Sequence, residues 1–288
     1  MAVMLEGGCR VTTIREGEPV VAGTVRIWRQ VGRDIGARAI SLRTLEFGRG
    51  HSPMLANGDC DEVIYVLEGT GSIVIDDQVY EIEPEMGLYL RPGQTISVRN
   101  PGPVPIVLIS SQCPEPDTKS HAPGDQSGPL GENRLEPLTP GPGREGSGTT
   151  NQVQPPVRPA TAAATSCAPL VRLADRKALP TADRWYRVLV DDELGCTQVT
   201  QFIGSIPPGR APDHFHLYEE VLFILRGEGR MWAGKTSTPI AAGSCIYLPK
   251  GQSHCVENTG KGELRLLGIF YPAGSPAVRY DADSNGAG

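Results

Sequence analysis

The segment Gly243-Ser-Cys-Ile-Tyr-Leu-Pro249-Lys-Gly251-Gln-Ser-His254-Cys-Val-Glu-Asn258 has a partial twin 158 residues upstream. There Tyr89-Leu90, Gly93-Gln94 and Asn100 fall under Tyr247-Leu248, Gly251-Gln252 and Asn258. The same shift, without a gap, lays Glu62-Val63 on Glu220-Val221 and Gly69-x-Gly71 on Gly227-x-Gly229. So many coincidences in one register identify an internal duplication of a unit of roughly 100 residues.

Each unit reads as β structure. Val63–Leu67 and Val221–Leu225 are short β-branched or aromatic runs ended by glycines. Ser72–Ile82 reads as two strands around an Asp76-Asp77 turn, and Pro105–Ser110 and Leu264–Phe270 as further strands. Regularly spaced strands with turn residues between them predict an all-β chain of two small antiparallel barrels or jelly rolls. A helical stretch near Asp183–Val190 would not alter that architecture.

Composition agrees. The 35 Gly and 26 Pro of the 288 residues exceed a fifth of the chain and argue against a helical bundle. From Pro114 to Pro169 the composition shifts to Pro, Gly, Ser, Thr and Ala with no apolar period of either kind, which predicts a disordered linker. The predicted domains are 1–113, a linker 114–169, a second barrel 170–280 and an unstructured tail 281–288. A net charge of −6 provides no broad positive field for nucleic acid or an anionic membrane. The longest apolar runs have five residues, against about 20 for a spanning helix. An acid at Glu6 interrupts any signal-peptide core. Seven scattered cysteines, with no C-x-x-C pair, argue against a disulfide framework or a Cys-type zinc site. A reduced, cytoplasmic protein is the expectation.

The chemistry concentrates in the second unit, in Gly209-Arg-Ala-Pro-Asp-His214-Phe-His216-Leu-Tyr-Glu-Glu220 and in His254. Residues two apart on a strand share a face, so His214 and His216 project together. Glu220 stands where a short turn can swing it back beside them, and His254 follows the Pro249-x-Gly251 turn into the same interior. Three of the chain's five histidines fall in this pattern. Three neutral imidazoles and a carboxylate suit one divalent transition metal.

These residues resemble the two motifs of the cupin family. The first, G-x5-H-x-H-x3–4-E-x6-G, is matched by His214, His216, Glu220 and Gly227, with Gly209 one residue closer to His214 than usual. The second, G-x5-P-x-G-x2-H-x3-N, is matched by Gly243, Pro249, Gly251, His254 and Asn258. With the duplication, the chain resembles a bicupin with two double-stranded β-helix barrels. The resemblance implies that His214, His216, Glu220 and His254 bind one metal ion, Fe, Mn, Ni, Co, Zn or Cu, inside the second barrel.

In the first unit Ala56, Gly58 and Ile96 stand in the places of the three histidines, and of the four ligand positions only Glu62 keeps its residue. His51 lies too far out of register to substitute. An unpaired carboxylate is no metal site, so the first barrel is expected to be metal-free, with a structural role or a small ligand of its own. Cys255 and Cys245 read as core residues. Trp232, Tyr247, Phe202 and Phe223 read as core or pocket lining, and Arg226, Lys250 and Lys261 as solvated turn residues. Gly69-x-Gly71 and Gly227-x-Gly229 lead into strands, so they do not form phosphate loops.

Four protein ligands on an octahedral metal leave two positions for a chelating substrate, or for substrate beside dioxygen. The resemblance to quercetinase-like bicupins implies an oxygenase acting on a small enol, diketone or phenol, with Glu220 able to loosen and act as a base. A redox-neutral isomerase, lyase or hydrolase, and a non-catalytic small-molecule binder, stay open. Oxalate decarboxylases resemble the chain in architecture but keep metal motifs in both barrels. A homodimer through sheet edges also stays open.

Overall fold

The computed structural model describes residues 1–114 and 168–278. The predicted linker, the tail and His121 lie outside these residues, apart from Pro114, Ala168 and Pro169. Among the described residues the only helices are four 3-10 turns, and every strand pairing is antiparallel. No described helix is long and apolar enough to cross a membrane.

The two halves each build a jelly roll from two sheets. In the first half, a sheet ordered Met86–Leu90, Asp61–Glu68, Ile106–Cys113, Leu42–Phe47, Val25–Val31 faces one built on Gln78–Ile82, Gly71–Ile75 and Thr95–Asn100. In the second half, Ser244–Leu248, Glu219–Arg226, Leu264–Tyr271, Thr200–Ile206, Arg184–Val190 form the larger sheet. It faces His254–Asn258, Glu228–Ala233 and Thr236–Ala241.

The apolar runs are continuous because both faces of these strands are covered. Ile64 and Val66 fill the first barrel, Leu222 and Ile224 fill the second, and Val63, Tyr65, Val221 and Phe223 meet in an apolar layer between the barrels. Each such side chain contributes roughly 1.5–3 kcal/mol on burial.

The duplication is legible atom by atom. Asn100 Nδ2 donates to the carbonyls of Phe47 and Val104 at 3.0 and 2.8 Å, and Asn258 Nδ2 to those of Ile206 and Gly262 at 2.8 and 2.7 Å. A Cβ on Gly71 would meet Arg99 O at 2.4 Å, and one on Gly229 would meet Glu257 O at 2.1 Å. The paired glycines therefore allow backbones to touch, and their conservation between halves reflects packing.

Strand pairings cross the boundaries drawn from the sequence. Arg10–Thr13, itself paired with Val3–Met4, pairs with Ser244–Leu248 of the second barrel, and Leu170–Arg172 pairs with Met86–Leu90 of the first. Each half thus lends its opening strand segment to the other's sheet. The helical reading of Asp183–Val190 is also corrected. Residues Arg184–Val190 form a strand, turned at Ala182 (φ 54°) and hydrogen-bonded on both sides, to Leu179–Thr181 and to Thr200–Ile206. Tertiary pairing outweighs local helical tendency there.

Candidate metal centre

His254 opens the strand His254–Asn258 and Glu220 is the second residue of Glu219–Arg226, both as expected. His214 and His216 belong to no continuous strand. Instead His214 forms an isolated bridge with His254, their backbones exchanging hydrogen bonds of 3.0 and 2.8 Å, and Gly251 N donates to His216 O at 2.8 Å. Gly93 N donates to Gly58 O in the same way in the first half, where a glycine replaces the histidine.

The three imidazoles converge. One ligand nitrogen from each lies within 4.8 Å of the others, and the ring centroids are 4.5 to 5.4 Å apart. His214 Nδ1 is 3.2 Å from Pro212 O and His254 Nδ1 is 2.8 Å from Gln252 O. A carbonyl only accepts, so each Nδ1 carries the proton and each Nε2 keeps its lone pair. His216 stacks on Tyr218 at 4.8 Å, which stacks on buried Phe270 at 4.5 Å. This column fixes the ring plane of His216. Burial, then the neighbouring His214, lowers His254 to about 4, so its imidazole is neutral at pH 7.

Glu220 lies against His216, Oε2 to Nε2 at 3.5 Å, outside the group of three. It is buried, and burial raises it to about 8. A carboxyl held in an apolar wall needs a compensating cation to ionise, and a divalent ion would supply it. Ligand nitrogens bound to one ion at about 2.1 Å lie roughly 3–4 Å apart, so a small contraction of the observed cluster suffices. The donor set therefore fits a divalent transition ion.

The first barrel answers the same problem differently and corrects the view of Glu62 as unpaired. Arg43 Nη2 donates to Glu62 Oε1 at 2.6 Å and to Ser110 Oγ at 2.9 Å, while Ser110 Oγ and Gln112 Nε2 also donate to the carboxylate. Paired strand positions put Phe202 where the first barrel has Arg43, Gly268 where it has Ser110, and Phe270 where it has Gln112. His51 is exposed on a short edge strand.

The four residues line a cavity of about 110 Å³, walled by Tyr186, Phe202, Leu222 and Leu266 and reached by Arg184. Of the aromatics weighed from the sequence, Phe202 lines this cavity, whereas Tyr247 and Phe223 are core of the inter-barrel layer. Trp232 lies under Arg210, 4.2 Å from the guanidinium, and donates to Glu257. Cys255 and Cys245 are buried core, and Cys255 Sγ accepts from Arg210 at 3.3 Å. Lys250 and Lys261 are exposed, and Arg226 pairs with Glu263 at the surface. Tyr218 stands inside the motif without being part of its pattern. Arg184 and Tyr186 come from a hairpin some 30 residues upstream, which no spacing rule connects to the histidines.

Residues 41–111 and again 202–270 match a family model, the Cupin domain. Auxin-binding protein 1 of Arabidopsis thaliana is 33% identical over 86 residues, 26% of this chain and 43% of that protein. The oxalate-binding protein of Thermotoga maritima is 38% identical over 68 residues, 23% of this chain and 56% of that protein. The chain spans about half the length of these curated relatives. Among solved structures, a deletion mutant of Bacillus subtilis oxalate decarboxylase superposes with a TM-score of 0.64 at 14% identity, covering 91% of this chain and 76% of the other. Protein Ylba of E. coli superposes with 0.65 at 11%, covering 96% of each. At those identities the likeness is one of fold. With one Cupin match in each barrel, the chain is a bicupin and belongs to the cupin superfamily.

Proposed function

We propose that the second barrel is the catalytic half of a metal-dependent enzyme that acts on a small chelating organic molecule, with dioxygen as co-substrate. The observation that carries this reading is the convergence of three imidazoles, with Glu220 at 3.5 Å from one of them, on a cavity of about 110 Å³. A bound divalent ion, held by His214, His216, Glu220 and His254, supplies Lewis acidity and, where redox-active, a path for electrons to dioxygen.

The chain's own groups do the rest. The two Nδ1 donations and the Tyr218–Phe270 column hold the imidazoles in place before anything binds. Neutral imidazoles add no charge, so with one carboxylate the loaded site stays net positive and favours electron-rich oxygen donors. Phe202, Leu222 and Leu266 exclude water and raise the strength of every polar contact inside. Glu220, the one carboxylate of the cluster, is the group of this chain placed to take up a proton from a molecule in the cavity.

A redox-neutral reading, a lyase or isomerase using Lewis acidity alone, is supported by the superposition on oxalate decarboxylase. Oxygen uptake separates the two. Protein loaded with manganese or iron is screened against small chelating acids and enols in air and under argon. Turnover that stops under argon supports the oxygenase reading, and turnover that persists supports the redox-neutral one. A chain that retains no transition ion overturns both.

A further inference from the structure

Arg184 opens the strand Arg184–Val190 and lines the same cavity as the histidine cluster. Its side chain is only 14% exposed. Its Nε donates at 3.0 Å to Asp183 Oδ1, on a side chain that is itself 64% exposed. Among the described residues the guanidinium makes no other hydrogen bond, and its terminal nitrogens keep contact with solvent, where an acceptor can reach them. Arg184 is the one Lys or Arg among the described residues that line the cavity, whose other walls include the apolar Phe202, Leu222 and Leu266.

We infer that Arg184 receives the carboxylate of a small anionic substrate whose second oxygen donor faces the imidazole cluster. This rests on the metal-centre reading and narrows it to a substrate class: short carboxylic acids with an adjacent carbonyl or hydroxyl, such as 2-oxo acids. With Nε engaged by Asp183, the end-on pair of terminal nitrogens presents the planar fork that matches a carboxylate. A cavity of about 150 Å³ holds benzene, so one of about 110 Å³ admits a molecule of roughly four to six heavy atoms. A molecule of that size occupies the space that Arg184 and the histidines line together. Arg184 thereby determines specificity for charge, while the histidines and Glu220 serve any chelator.

The test uses the full chain, with and without manganese, titrated calorimetrically with pyruvate and with its neutral isostere pyruvamide. The wild type is expected to bind pyruvate at least tenfold more tightly than pyruvamide. R184Q should lose about tenfold to a hundredfold in pyruvate affinity, the range for a hydrogen bond to a charged group, with pyruvamide affinity and metal content unchanged. R184K keeps the charge but not the fork and should fall between them. It also serves if R184Q does not fold. A wild type that takes up no manganese overturns the metal-centre reading, whereas pyruvate binding by that protein that is lost in R184Q still upholds Arg184. Wild-type protein that binds pyruvate no better than pyruvamide, loaded or not, overturns the inference. So does an R184Q protein, or an R184K protein where that one is used, that keeps pyruvate affinity within twofold.

Discussion

Replacing Arg43 by Met tests whether the first barrel carries its own cation. Arg43 and Glu62 are 16% and 4% exposed and 2.6 Å apart, and removing one partner of a buried pair typically costs about 3–5 kcal/mol. Ser110 and Gln112 still donate to Glu62 and limit the loss. R43M is therefore expected to lose about 3 kcal/mol, whereas R43M/E62M, with no charge left to bury, should come within about 1 kcal/mol of the wild type. Urea unfolding followed by circular dichroism and tryptophan fluorescence measures this, coincident transitions licensing a two-state fit. A loss below about 1 kcal/mol in R43M, or a double variant no more stable than R43M, would refute the reasoning.

Other outcomes follow from the same structure. Metal-free protein should lose stability as pH rises from about 4.5 to about 8. Over that window the folded state holds a proton on Glu220 that the unfolded chain has released; the effect is on the order of 4 kcal/mol, and E220Q should flatten the profile. Elemental analysis should find close to one transition ion per chain, lost in H216A and H254A, and two ions would contradict the role given to Arg43. Gly229→Ala should cost more than about 3 kcal/mol or prevent folding, because its Cβ would lie 2.1 Å from the Glu257 carbonyl; a near-neutral thermal melt would show the strands free to part. Asn258→Ala should cost about 1–3 kcal/mol by stranding the buried Ile206 carbonyl and losing a second bond to exposed Gly262, measurable by the same urea titration.

The residues that repeat between the halves made the fold readable. Turn glycines, Asn100 and Asn258, and the doubled apolar runs are local signatures of strands and close backbone approach. The histidine spacing was readable for the same reason, since turns of fixed length bring its members together. What the sequence hid are relations between distant segments. The exchange of Arg10–Thr13 and Leu170–Arg172 leaves no trace in composition, because an edge strand needs only backbone groups to pair. Arg184 reaches the cavity from a hairpin with its own local pattern. Arg43 meets Glu62 only because Leu42–Phe47 and Asp61–Glu68 flank the same strand, Ile106–Cys113.

That last relation explains how one scaffold supports two different interiors. Both barrels place a carboxylate at the same depth of the same strand, and a buried carboxylate needs a counter-cation in either case. In the first barrel the counter-cation is covalent: Arg43, steadied by Ser110, with Gln112 on the other carboxylate oxygen. In the second, those three positions are Phe202, Gly268 and Phe270, and the Phe202 ring lies where a Cβ on Gly268 would sit, 2.3 Å away. That wall has no donor to give Glu220, while three imidazoles approach from the opposite sheet and its flanking loop. Arginine without the histidines in one barrel, and histidines without the arginine in the other, are therefore alternative surroundings for the same carboxylate. A first barrel with histidine at Ala56, Gly58 and Ile96 would still have Arg43 occupying Glu62, and giving it a metal site would require removing the arginine as well.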